Sequence, residues 1–316
     1  MNFSLSGTEE AEIIINPEDL PNFRLAKDSD AAEDAALAKQ TPMEVATNFL
    51  VELQAGLKKR KPDDLLYLYD RKFNKICETV FKNTTWPTAQ EIEQSSEDLE
   101  FDIDTQYLYG ELCYRHVYAR INNFGPEVRL QSFENYLGLF DTVLNSKDDF
   151  ALPVPWIWDI LDEFLYQFQA FCQYRAKMKD DDPALEVLLE DLDNVWTLDR
   201  VSEVFKKFIE KSQVIKGGKL VEVTPQTKTL QYFGYFSIIC ACRLNVLVCD
   251  YEGALKVIEP IEFNKLHIFA KAFPALITLF YYAGFAYLMS KRYRESVKLF
   301  EIILSCFIKY KQFYSK

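Results

Sequence analysis

Two histidines and ten glycines are all that 316 residues supply of these types. A serine or cysteine nucleophile needs an imidazole base, and a di-iron helix bundle needs Glu-x-x-His on paired helices. Here Glu111 and His116 are five apart and His267 has no glutamate three residues before it, so neither chemistry is supported. Glycine at about half its usual frequency argues against propellers, many-turned β-sandwiches and phosphate-cradling loops. Neither G-x-x-x-x-G-K-[ST] nor G-x-G-x-x-G occurs, so no nucleotide cofactor is expected. No 18 apolar residues run uninterrupted, so no membrane span is expected. Met1 to Glu10 lacks the basic start and apolar core of a signal peptide and is too acidic for a transit peptide. The seven cysteines are odd in number and mostly lie in apolar runs, and the Cys240/Cys242 pair has no ligand partners at zinc spacing. Buried free thiols in a reducing compartment, the cytosol, are expected, with no metal or other cofactor.

What is abundant is apolar and aromatic: 49% of residues are hydrophobic, with 25 Phe and 18 Tyr, which belongs to an ordered protein of two domains or one extended array. A net charge of −12 argues against bulk adhesion to nucleic acid or anionic membranes. The average hides a polarity. Residues 1–40 hold nine acids and three bases, Glu91 to Asp104 hold seven acids and no base, and Asp180 to Asp193 the same, whereas residues 256–316 hold ten bases and four acids.

Residues 1–40 show no sustained apolar period and read as an acidic, disordered tail. From Thr41 the pattern is helical. Thr41-Pro42-Met43-Glu44 forms a capping box with proline at the first helical position, and Lys58 to Lys61 ends that helix with positive charge before Pro62. The next stripe is Leu66, Tyr69, Phe73, Ile76, Val80 and Phe81. Further helical patterns cover 104–122, the segment after Gly125-Pro126, the segment after Pro153 and Pro155, and 183–192, 198–212, 227–248, 251–259, 266–289 and 292–312. On the helix after Pro155, Trp156, Trp158, Tyr166 and Tyr174 lie outside the apolar stripe, which predicts packing by more than one neighbour. Only Glu12 to Ile15 and Lys219 to Val223 could be strands. The chain reads as all-α.

Tyr251-x-x-Ala254-x-x-x-Ile258-x-x-Ile261 aligns with Tyr293-x-x-Ser296-x-x-x-Phe300-x-x-Ile303, the second-helix rhythm of a tetratricopeptide unit, and Ala283-Gly284 puts small residues where two helices approach. The equivalent tyrosines are 42 residues apart, so the repeats are degenerate. Such hairpins bury their apolar faces only by stacking, and a right-handed superhelix of tetratricopeptide-like hairpins is the expected architecture. The domain reading is an acidic tail over 1–40, a helical region over 41–223 and degenerate repeats over 224–316. A terminal repeat leaves Phe300, Ile303, Leu304 and Phe307 exposed unless capped, so an adhesive C-terminal end is expected.

Stacked hairpins offer long surfaces to macromolecules, and an interaction scaffold is the leading class. The enzyme alternative rests on Asp159, Asp162 and Glu163, which share one helix face; the competing reading is a solvated acidic face. Asp180-Asp181-Asp182 precedes Pro183 and reads as acid at a helix start. Two basic clusters, Lys58, Lys59, Arg60 and Lys61, and Lys291, Arg292, Arg294 and Lys298, are candidate contacts for RNA phosphates or protein partners; cations near helix C-termini are the simpler account.

Five segments in order, Leu108 to Ile121, the tryptophan-rich Trp156 to Arg175, Gly234 to Ser237, Asp250 to Glu259 and Tyr281 to Tyr293, resemble the subunit L family of eukaryotic translation initiation factor 3. The resemblance runs from about residue 65 to 308. It implies a non-catalytic subunit of the factor that binds the small ribosomal subunit and helps assemble the preinitiation complex, with the factor's subunits E and K as particular partners and no membrane. In that family the helical repeats lead into a C-terminal winged helix. This sequence reaches Lys316 within the repeats, so the expected fold is the helical-repeat part, truncated before the winged helix. A related subunit of the proteasome lid or signalosome is the alternative within the scaffold class.

Overall fold

A computed structural model describes residues 37, 39–95, 99–146, 151–178, 195–222, 228–263 and 272–314. The fold is all-α. The expected acidic tail and the patterns at 12–15 and 183–192 lie outside the described residues, apart from a few positions before Thr41.

The described chain forms α1 (Pro42–Lys59), α2 (Pro62–Tyr67), α3 (Asn74–Thr79), α4 (Ala89–Ser95), α5 (Ile103–Arg120), α6 (Pro126–Asn145), α7 (Val154–Lys177), α8 (Leu198–Ser212), α9 (Thr229–Leu247), α10 (Tyr251–Val257), α11 (Phe273–Met289) and α12 (Tyr293–Tyr314). Local chemistry sets their ends. Glu44 N–H donates to Thr41 Oγ1 at 3.2 Å and Thr41 N–H donates to Glu44 Oε2 at 2.7 Å, closing the predicted capping box. Arg60, with φ +52°, terminates α1 in a left-handed cap whose N–H bonds Leu57 O.

Between α2 and α3 the helix widens into a π-helical stretch, Leu68–Phe73. This shifts the expected stripe: Leu65 and Leu68 are buried instead of Leu66 and Tyr69, and the next buried position is Phe73, five residues on. A wide turn of this kind rotates the helical faces on its two sides relative to one another. Tyr69 thereby lies at the edge of the apolar core and carries its hydroxyl to Arg115 and Asp159.

The chain divides into two compact units, one of Arg24–Gln213 with Gln226–Cys240, the other including Val214–Pro225 and Ala241–Lys316. The larger unit is built on aromatic packing. Trp86 lies among Phe49, Phe73, Phe81 and Tyr109, and Phe164 among Phe133, Tyr136, Phe140, Trp196 and Phe205. Trp156 and Trp158 are both buried, Trp158 edge-on to Phe236 at 5.5 Å. The helix after Pro155 is thus packed on several sides, as its aromatic distribution predicts; Tyr166 stays exposed.

Among the described residues of the smaller unit, α11 and α12 form the most extensive helix pair, with α10 against α11. Ala254, Ile258, Ile261, Ser296 and Ile303 are buried, as the repeat rhythm places them, while Tyr251 and Phe300 are partly exposed and Tyr293 is exposed. A β-carbon on Gly284 would come 3.0 Å from Phe300, so the small residue sets the approach of α11 to α12. Residues Ile215–Lys216 and Lys219–Leu220 pair as a two-stranded hairpin. Gly217 and Gly218, with φ +58° and +77°, form its tight turn, a geometry that suits glycine.

One helix bears on the expected absence of a membrane span, and two other expectations need correction. Helix α9 is long and apolar enough to cross a membrane by length and composition, although no uninterrupted run marks it in the sequence. Its surface is largely spent on packing, 67% of its most apolar 18 residues being buried, as in a core helix. Cys172 and Cys249 are exposed, while Cys77, Cys240 and Cys242 are buried; all seven thiols are free. Of the residues expected bare on α12, Ile303 is buried and Phe300 partly so, but Leu304 and Phe307 are exposed together with Val297 and Ile308.

Candidate functional site

The two basic clusters lie in different units. Lys58, Lys59, Arg60 and Lys61 are exposed at the junction of α1 and α2. Lys58 Nζ lies 2.9 Å from Asp102 Oδ2, with both side chains more than half exposed, so that pair contributes little. Lys291, with φ +59°, starts the turn between α11 and α12, and Arg292 N–H donates to Tyr287 O at 2.8 Å. The Arg292 guanidinium stacks over Tyr287 at 4.6 Å and donates to Glu295 Oε1 at 2.7 Å. That hydrogen bond holds the Glu295 carboxyl below the ordinary glutamate range. Arg294 and Lys298 are exposed on the first turns of α12.

Asp159, Asp162 and Glu163 do not form a freely solvated face. All three are only partly exposed, because the face of α7 they occupy meets α5, α6 and the π-helical stretch. The centre is Arg115 of α5. Its Nε donates to Glu111 Oε1 at 3.0 Å and its Nη1 to the Tyr69 hydroxyl at 2.7 Å, and Tyr69 in turn donates to Asp159 Oδ2. Glu111 is fully buried, and its second oxygen accepts from Trp156 Nε1 at 3.1 Å. The Tyr69 ring stacks on Trp156 with centroids 4.9 Å apart. Burial pushes the Tyr69 phenol well above its usual range. Burial likewise raises the Asp159 carboxyl to about 6 and that of Glu163 to about 7, with Arg115 pulling the other way in each case.

Sequence reasoning missed Glu111 and Arg115 as buried partners. The available signal was the i, i+4 spacing of an acid and a base inside an apolar stretch that also holds Leu108, Leu112 and Val117. His116 is also buried and its Nε2 lies 2.9 Å from Thr84 O, with burial lowering its pKa. Farther along the same helices, the Arg129 guanidinium lies over Phe124 at 4.2 Å and Tyr174 at 4.3 Å. Among the described residues no group of three or more His, Cys, Asp or Glu is placed to hold a metal ion. The Asp180 to Asp182 run lies outside them.

A family model described as RNA polymerase I-associated factor PAF67 matches residues 128–316. The chain is 37% identical to eukaryotic translation initiation factor 3 subunit L of Mus musculus and of Homo sapiens over 255 residues, 75% of this chain and 44% of each relative. It is 34% identical to the protein of that name from Aedes aegypti over 282 residues, 84% of this chain and 52% of the relative. The chain thus spans about half the length of the curated relatives it matches.

Proposed function

Since the chain belongs to the eukaryotic translation initiation factor 3 subunit L family, we propose that it is a non-catalytic scaffold subunit of that factor, acting in the cytoplasm and supporting assembly of the preinitiation complex on the small ribosomal subunit. The observation that carries this reading is the family match laid over an all-α fold. Its carboxyl-rich seam ties α7 to α5 through the bond from Trp156 to Glu111, and to the π-helical stretch through that from Tyr69 to Asp159. Here the helical region 41–223 and the repeats 224–316 act as surfaces for other subunits, E and K in particular. The exposed lysines and arginines at 58–61 and 291–298 are the candidate contacts to RNA phosphates or acidic partner surfaces, because phosphate contacts demand charge and little else.

Affinity purification of the tagged 316-residue chain from eukaryotic cells tests the assignment. Co-purification of initiation factor 3 subunits, with E and K among the most enriched, is the expected result. Enrichment of proteasome-lid or signalosome subunits, or of RNA polymerase I, in their place would overturn it. Charge reversal at Lys291, Arg294 and Lys298 is expected to weaken capture of ribosomal RNA at low salt, with the far-ultraviolet circular dichroism unchanged.

A further inference from the structure

Glu163 and Gln167 stand one turn apart on α7, and Gln167 Nε2 donates to Glu163 Oε1 at 3.0 Å. The Gln167 side chain is fully buried, and its remaining polar atom, Oε1, has no hydrogen-bond partner. An amide presents a donor and an acceptor side by side. A carboxylate can only accept, whereas a carboxylic acid both accepts and donates. The fold therefore sets an unsatisfied acceptor beside a group that becomes a donor when it takes a proton, and leaving a buried acceptor unpaired is costly.

Burial and the neighbouring carboxyl groups favour the same form, whereas Arg115 and the Gln167 amide that donates to the carboxyl favour the carboxylate. Facing Glu163 are Arg115, Glu111 and Tyr118 from α5, Tyr136 from α6, and Asp162 on its own helix. One guanidinium thus serves several carboxyl groups, and its bonds run to Glu111 and the Tyr69 hydroxyl.

We propose that Glu163 and Gln167 form a reciprocal acid–amide pair within α7, a proton-dependent contact on the face of that helix that meets α5 and α6, which loosens when the proton leaves. With the Glu163 carboxyl raised to about 7, chiefly by burial, the folded chain binds this proton more tightly than the unfolded chain does. The stabilisation is complete below the ordinary glutamate value, about 4.3, and is lost as pH rises through about 7. Asp159, raised to about 6, acts in the same direction.

All four tryptophans, Trp86, Trp156, Trp158 and Trp196, belong to the larger unit, so tryptophan fluorescence during urea unfolding of the full chain reports on that unit. Between pH 5.5 and 8 the unfolding equilibrium constant at fixed urea is expected to rise about tenfold in the native chain. Glu163→Gln keeps both hydrogen bonds without a titrating proton; it is expected to lose at least half of that change and to be no less stable than the native chain at pH 8. Glu163→Asp, too short to keep the pair, is expected to destabilise the unit at pH 5.5 and to converge on the native chain at pH 8. An unchanged pH dependence in Glu163→Gln, or an equal cost of Glu163→Asp at both pH values, would overturn the proposal.

Discussion

The two units solve the problem of covering helix faces differently. In the larger one, α5, α6, α7 and the π-helical stretch enclose charge: Glu111 is fully buried and Arg115 is partly exposed, each bonded to more than one partner. In the smaller one the α11–α12 pair is held by apolar contacts and a glycine approach, and Leu304, Phe307 and Ile308 on α12 stay about half exposed or more. Burying a charged pair requires donors and acceptors from several directions. A many-sided helix such as α7 supplies them, while a two-helix face can only stack. The larger unit therefore gains geometric specificity from its polar groups, and the smaller one keeps an apolar face of the kind that stacked repeats cover with a neighbour.

The sharpest way to break this contrast is Arg115→Met. It leaves Glu111 buried without its cation, and a loss of about 3–5 kcal/mol is expected, read from urea unfolding by tryptophan fluorescence. A loss under about 1 kcal/mol would mean that the seam is not a structural centre. Gly284→Val pushes a branched side chain into Phe300 and is expected to cost about 1–3 kcal/mol. Because the tryptophans lie outside the smaller unit, its unfolding is followed by circular dichroism. The smallest effect on stability is expected from Leu304→Glu with Phe307→Glu, within about 0.5 kcal/mol, together with reduced binding of a hydrophobic dye and less self-association in sedimentation. Marked destabilisation by this pair would show that the exposed face of α12 is packed in solution.

Helix positions were largely legible in the sequence because their signals are local. The Thr41 box, Pro62, the Gly125-Pro126 break and the Ala254 and Ser296 rhythms all act within a few residues, and each appears where expected. Two features were less so. The π-helical stretch shifts the buried stripe by one residue, which a regular period cannot anticipate. The acidic face of α7 gave no local sign of its partners: Tyr69 lies 90 residues before Asp159, and Glu111 lies 45 before Trp156. The basic clusters were visible as charge, and the structure adds only that each sits at a junction between helices.

By itself, then, the sequence determined that this chain is helical, where its helices start and stop, and that it resembles the subunit L family, since periodicity, caps and ordered motifs are written along the chain. Only the tertiary structure decided which carboxyl groups lose their water, which tyrosine hydroxyl joins them and which apolar residues remain bare. Desolvation depends on what packs across a helix face, and the groups that pack there come from distant parts of the chain.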